Sequence, residues 1–315
     1  MEPTPPVRRH QETPKRSIIV GTGLVLVLAF IAIIALFFVF SAATPMFVGK
    51  CVAVVNIDQE LTVDGVSPSL LNSGVPGSDD ISGSVDALNK RDDVGAVLFV
   101  INSPGGSIVA THDIYDSVKN LNKTKVSYFR EMAASGAYYV ATGTDYIVSE
   151  PDALTGDIGA ITEVTQFGGL MDKLGVNVTT IKSGPYKDIG SPYRNMSDGE
   201  ISIFQSIVDE SYAEFHDVVV QNRGSRLNMA LFNNVSDGRI LSGRQAKRIG
   251  LVDALGSKKD ALKKAADLGG IEYSSPDDIR VCNVDLSSSQ GGLLSAEGFM
   301  RSLQSAASGI RLSYK

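Results

Sequence analysis

Cysteine is scarce in this chain: Cys51 and Cys282 are the only two in 315 residues. Two exclude a disulfide framework and a cysteine-rich zinc site. Both lie in short apolar runs, where buried free thiols are expected rather than a disulfide. Histidine is also too sparse for metal chemistry. His10, His112 and His216 are scattered along the chain, so no metal cluster and no cofactor is expected, and His112 and His216 read as surface residues. A basic excess is missing as well. The net charge is −6, which argues against a nucleic-acid partner. No G-x-S-x-G nucleophile elbow occurs.

The longest absence is of charge. No charged residue stands between Arg16 and Lys50, and within that gap Ile18–Phe40 is almost wholly apolar. As a helix its 23 residues reach roughly 35 Å, against a hydrocarbon core of roughly 30 Å. A transmembrane signal anchor is therefore expected over 18–43, partnered by the lipid bilayer. Residues 1–17 are proline-rich and polar, and read as a disordered cytosolic tail. Arg8, Arg9, Lys15 and Arg16 precede the span. Positive charge stays inside, so the N-terminus is expected in the cytoplasm and the large domain outside the cell membrane. Ser41-Ala42-Ala43 leaves a cleaved signal as the alternative. A lipidation site at Cys51 fits poorly, because Lys50 precedes it.

Beyond the span, 43% hydrophobic residues allow a sizeable core. Cys51–Ile57 reads as a buried strand, and Val94–Ile101 is a continuous apolar run suited to a strand covered on both faces. Helical spacing follows over 84–90 and 108–122. The alternation recurs: strand 125–131, a helix after Ser135, strand 146–148, helix 162–174 closed by Gly175, and strand 176–181. Helices are expected over 201–222, 242–251 and 258–268. Strands alternating with helices imply an α/β fold. The tail from 271 to 315 keeps one weakly amphipathic segment, Leu293–Leu312.

One stretch organises the rest. Strand 125–131 runs into Ala133-Ala134-Ser135-Gly136-Ala137, and a helix follows. A serine at such a turn can cap the helix or act as a nucleophile beside free backbone N–H groups. A nucleophile needs a base. Lys187, in Ser183-Gly-Pro-Tyr-Lys-Asp-Ile-Gly-Ser-Pro192, is the candidate, since Tyr186 and Ile189 can wall off water. Such a lysine must be neutral, which requires desolvation. Lys182 reads as a surface residue. Ser103-Pro-Gly-Gly106 offers an unhindered backbone turn for an oxyanion. Val109, Ile161 and Phe167 are candidates for lining apolar pockets.

In order, Asn102-Ser-Pro-Gly-Gly-Ser107, Ala133-Ala-Ser-Gly-Ala-Tyr-Tyr139 and Gly184-Pro-Tyr-Lys-Asp-Ile-Gly-Ser-Pro192 resemble the signature segments of the signal peptide peptidase A family. These are membrane-anchored Ser–Lys proteases of family S49. Leu154–Gly159, Val208–Phe215, Asp237–Arg239, Ser242–Ala246 and Gly250–Asp253 extend the resemblance over roughly residues 50–270. It implies a ClpP/crotonase-type α/β fold of repeated β-β-α units, with Ser135 as nucleophile and Lys187 as general base. Gly106 and Gly136 would be the oxyanion donors. It also implies a homo-oligomeric ring that degrades cleaved signal peptides and similar apolar peptides.

One departure stands out. The family usually has Thr-Gly-Ser-Ile-Gly where this chain has Thr155-Gly-Asp157-Ile-Gly. That serine is placed to hydrogen-bond the catalytic lysine. A carboxylate there would favour the ammonium and oppose its role as base. Three expectations follow. Asp157 turns away and Thr155 takes the hydroxyl role, the pair works at alkaline pH, or the site is weakened. The last leaves a non-catalytic membrane scaffold as an alternative. A crotonase-type acyl-CoA enzyme is a third reading, opposed by the outward-facing domain.

Overall fold

The computed structural model describes residues 30–34, 49–66, 74–284 and 286. The chain divides into two units, Met1–Val48 and Gly49–Lys315. In the first, Phe30–Ile34 are helical. The rest of the expected span, the cytosolic tail and the segment Leu293–Leu312 lie outside the described residues. Among the described residues, no helix is long and apolar enough to cross a membrane.

The second unit is built on one mixed sheet of eight strands. Strands β1 (Cys51–Ile57), β2 (Val94–Ser103) and β3 (Thr124–Ala134) form its centre. They alternate with helices α1 (Ser78–Ala87), α2 (Ile108–Asn120) and α3 (Gly136–Thr142). Crossover helices force parallel pairing, and β1–β2 and β2–β3 are both parallel. The period of two divides the side chains. Val55, Ile57, Phe99 and Ile101 join one core with Ala110 and Ile114 of α2. Val52, Val54, Leu98 and Val100 join a second core on the opposite face. There they meet Ala261, Ala265 and Ala266 of a late helix, Lys258–Leu268. Burial on both faces is why the 94–101 run carries no polar alternation.

Strand β3 is longer than its sequence pattern suggests and has two partners on its far side. Val126–Phe129 pair with β4 (Tyr146–Ser149), and Met132–Ala134 pair with β5 (Leu154–Gly156). Strand β5 pairs antiparallel with β6 (Ile240–Ser242). The last residues of β3 are thereby held on both sides just before Ser135.

Helices α4 (Gly168–Leu174) and α5 (Asp198–Arg223) follow β5, then α6 (Met229–Phe232). Helix α7 (Gly243–Ile249) follows β6, and β7 (Ala254–Leu255) pairs with β4. The late helix over 258–268 is α8. At the end of α5, the buried Arg223 grips Asp253 through two hydrogen bonds of 3.0 and 2.7 Å. Asp253 also accepts from the Ile147 amide at 2.8 Å. Removing one partner of such a buried pair typically costs about 3–5 kcal/mol.

Three expectations need correction. Residues 176–181 form no strand. Val176, Val178 and Ile181 supplied the pattern, but no strand among the described residues pairs with them, and Ile181 is 97% exposed. The helix expected over 162–174 begins only at Gly168. Finally, Cys51 and Cys282 are joined in a disulfide. Strand β8 (Val281–Asn283) lies parallel to β1, with Ala53 opposite Cys282. That register brings together residues 231 apart in sequence, and their spacing gave no hint of it. The expected tail from 271 is thus part of the sheet as far as β8. In the chain-entropy view, closing so long a loop contributes at most about 5 kcal/mol.

Candidate active site

Ser135 stands between β3 and α3 with φ 52° and ψ −128°. Only two non-glycine residues among those described have positive φ: Ser135 and Asp157. Such a backbone is costly for an L-residue and persists only where its surroundings hold it. Here the Ser135 amide donates to Gly156 of β5 at 3.0 Å, and its carbonyl accepts from Tyr139 at 3.0 Å. The serine side chain makes no capping bond to α3. Its hydroxyl is free for chemistry.

The glycine loop after β2 lies against this turn. Leu61 donates to the Gly105 carbonyl at 2.7 Å and accepts from Ser107 at 2.8 Å. A Cβ on Gly105, whose φ is +98°, would come within 2.7 Å of the Gly136 nitrogen. A Cβ on Gly106 would stand 2.1 Å from the Leu61 oxygen, and one on Gly136 would stand 2.2 Å from Thr111 Oγ1. Only glycines allow these three approaches. Among the described hydrogen bonds, neither the Gly106 nor the Gly136 amide has a partner. Both residues line a small cavity with Ser135. Unpaired amides beside an uncapped serine are what a tetrahedral oxyanion requires.

That small cavity, about 40 Å³, is also lined by Thr111, His112, Tyr139 and Phe215. A wider cleft of about 530 Å³ also borders Ser135, and Asp157, Ile161, Tyr212 and Asp237 line it. Of the three apolar candidates, Ile161 lines the cleft, whereas Val109 and Phe167 line neither space. His112, expected at the surface, has a side chain 36% exposed and also lines the cavity. Its position one turn beyond the glycine loop is the signal that could have marked it.

Thr155 is fully buried, and its Oγ1 donates to the Ala133 carbonyl at 2.7 Å. Asp157 lines the cleft with Ser135, and partial burial raises its carboxyl above the ordinary range.

Lys187 is exposed, in a run of turns between Ser183 and Gly190. It lines neither the cavity nor the cleft that Ser135 lines. The dry niche expected around it is not formed in the single chain. The loop is nonetheless anchored. Arg194 reaches Asp188 at 2.9 Å on two atoms and Glu200 at 2.8 and 2.5 Å, while Lys182 binds Asp188 at 2.6 Å. Arg194, then Lys182, hold the Asp188 carboxyl well below the usual carboxylate range. Lys182 is thus a brace for the loop.

The family model of peptidase family S49 matches residues 118–272, and that of Clp protease matches residues 77–148. A Synechocystis protein carrying a provisional protease name is 39% identical over 192 residues, covering 60% of this chain and 68% of that one. The chain belongs to peptidase family S49. A Methanocaldococcus jannaschii protein with a similar provisional name is 44% identical, over 59% of this chain and 60% of its own length. Protease 4 of Haemophilus influenzae is 29% identical, over 69% of this chain and 34% of its own. The match thus spans three fifths of the Methanocaldococcus relative and about a third of the Haemophilus one. Among solved structures, a membrane-bound stomatin-specific protease, 1510-N in mutant form, is similar at a TM-score of 0.45 and 15% identity, over 75% of this chain and 98% of that one.

Proposed function

We propose that this chain is a membrane-anchored serine endopeptidase that hydrolyses cleaved signal peptides and similar apolar peptides. The single observation that carries this is Ser135: an uncapped hydroxyl on a strained turn, beside two unpaired amides. Lys187 takes the Ser135 proton as Oγ attacks the scissile carbonyl carbon. The carbonyl oxygen becomes an oxyanion facing the Gly106 and Gly136 amides. Lys187 then returns the proton to the leaving amine, and the C–N bond breaks to leave an acyl-serine. Water, deprotonated by the same lysine, attacks that ester and releases the acid.

A lysine acts as a base only when neutral, a form that burial favours. Assembly of several copies into a ring supplies the missing cover. Bare apolar side chains in the same chain support that reading: Ile161 and Ile181 are 83% and 97% exposed, and Leu170, Leu174 and Ile207 are exposed as well. The Cys51–Cys282 disulfide supports an oxidising compartment, outside the cytoplasm. A domain tethered by residues 18–43 beside the bilayer meets apolar peptides at high effective concentration.

The test is cleavage of an apolar peptide by the full chain in detergent, across pH. Ser135→Ala and Lys187→Ala are each expected to lower kcat by roughly a thousandfold or more. Activity surviving in Ser135→Ala would refute the nucleophile. Mixing the two inactive variants tells whether serine and lysine of different copies combine: activity regained by mixing would place the dyad between copies.

A further inference from the structure

The small cavity beside Ser135 has walls whose chemistry the hydrolysis itself does not use. His112 Nε2 lies 3.2 Å from Glu214 Oε1, and the Tyr139 hydroxyl donates to the same oxygen at 2.9 Å. The Tyr139 ring sits 5.3 Å from His112, 5.1 Å from Phe215 and 4.9 Å, edge-on, from Tyr115. Aromatic contacts at such distances fix ring orientation. Swinging the imidazole out would give up its 3.2 Å approach to Glu214 and its ring contact with Tyr139. The wall is braced from three elements: α2, α3 and α5.

Ser135 and Gly106 border both the small cavity and the wider cleft, but Gly136 borders only the cavity, so the cavity is the space that both oxyanion residues line. A carbonyl oxygen held by those amides belongs to the residue that becomes the acyl group. That residue's Cα is bonded to the carbonyl carbon, so its side chain starts at the mouth of the cavity. The volume then limits its size. About 40 Å³ corresponds to about three water positions at roughly 10–15 Å³ each. A side chain of one to three heavy atoms fits. Leucine or phenylalanine exceeds that volume, and His112 is among the side chains that would have to give way.

Resting on the endopeptidase reading, we propose that His112, held by Glu214 and Tyr139, closes the pocket for the acyl-side residue and restricts it to small side chains such as alanine, serine and valine. His112 is then a specificity-determining residue, and Glu214 is a positioning residue acting through it.

The experiment uses the full chain in detergent and one apolar peptide series differing only at the acyl-side residue: Ala, Val, Leu and Phe. The wild type is expected to cleave the Ala peptide at least tenfold better than the Leu or Phe peptide, in kcat/KM. His112→Ala is expected to shift the Leu-to-Ala ratio by tenfold or more toward Leu, and Glu214→Gln by a smaller factor in the same direction. A fluorophosphonate that labels Ser135 reports separately that the site is folded and reactive. Wild type that prefers Leu or Phe overturns the inference whatever the variants do. So does a labelled, active His112→Ala enzyme whose ratio stays within twofold of wild type; in both cases the endopeptidase reading stands. A labelled wild type that cleaves none of the peptides overturns that reading, and this inference falls with it.

Discussion

The two halves of the proposed machinery are built in opposite ways. Ser135 ends a strand held by neighbours on both sides, and glycines pack so closely around it that added carbon atoms would overlap their neighbours. Lys187 sits on an exposed loop braced by ion pairs, with turns in place of strands. The proposed nucleophile and the two unpaired amides lie together within one chain. The base is held in shape but not dried. Order and desolvation are separate achievements, and a loop can have the first without the second. A lysine needs the second to become a base.

The sharpest way to break this contrast is a matched pair of glycine substitutions. Gly136→Ala puts a Cβ 2.2 Å from Thr111 Oγ1, which forces α2 and α3 apart and moves an oxyanion amide. Loss of one such donor typically costs 10²–10³ in kcat, so a fall of roughly a thousandfold is expected. Gly184 opens the Lys187 loop, and a Cβ added there would meet nothing within 4 Å. Gly184→Ala is expected to keep activity within about threefold, as surface substitutions away from special features usually do. Adding Thr111→Ala to Gly136→Ala should recover part of the loss by making room. Equal losses from both glycine variants would mean that the lysine loop is as tightly built as the serine turn.

The contrast also explains what was legible in the sequence. The serine turn and the Ser103-Pro-Gly-Gly106 loop are local: strand, small residues and helix follow one another, and their spacing carries the geometry. The buried strands at 94–101 and 125–131 announce themselves by composition. The Cys51–Cys282 bond depends on where β8 docks, a choice made by the register of the whole sheet. The absent strand at 176–181 shows the same limit, since β-branched residues favour a strand only where a sheet edge accepts them. His112 escaped because helical spacing gives a face but not what that face meets. The surroundings of Lys187 are the extreme case. A sequence can show which residues are able to exclude water, but not whether one chain brings them together.

A smaller effect probes the bracing itself. Arg194 joins Asp188, next to Lys187, to Glu200 at the start of α5. Arg194→Ala is expected to lower kcat roughly tenfold while KM changes little, because a loosened base costs orientation rather than binding. Arg223→Ala, which breaks the buried pair with Asp253, should lower the melting temperature far more than Arg194→Ala does. If Arg194→Ala matched it in melting temperature, the lysine loop would belong to the folding core, and the contrast between the two regions would fail.

The smallest effect concerns pH, and it asks whether the two regions meet. Burial raises the Asp157 carboxyl above its ordinary value. A carboxyl raised on folding binds its proton more tightly in the folded chain than in the unfolded one. Stability is therefore lost as pH climbs from the unfolded value, about 4, through the folded one. Asp157→Asn removes that cost while keeping a side chain that tolerates φ 53°. At pH 7 the variant should melt slightly higher than wild type, and the gain should vanish below about pH 4. The rate profile carries the second half of the test. If Lys187 works beside Asp157, the carboxylate favours the ammonium, and its removal should move the rising limb of kcat to lower pH. A melting gain with an unmoved limb would mean that the carboxylate feels its burial but not the lysine, and the base would have to be sought elsewhere.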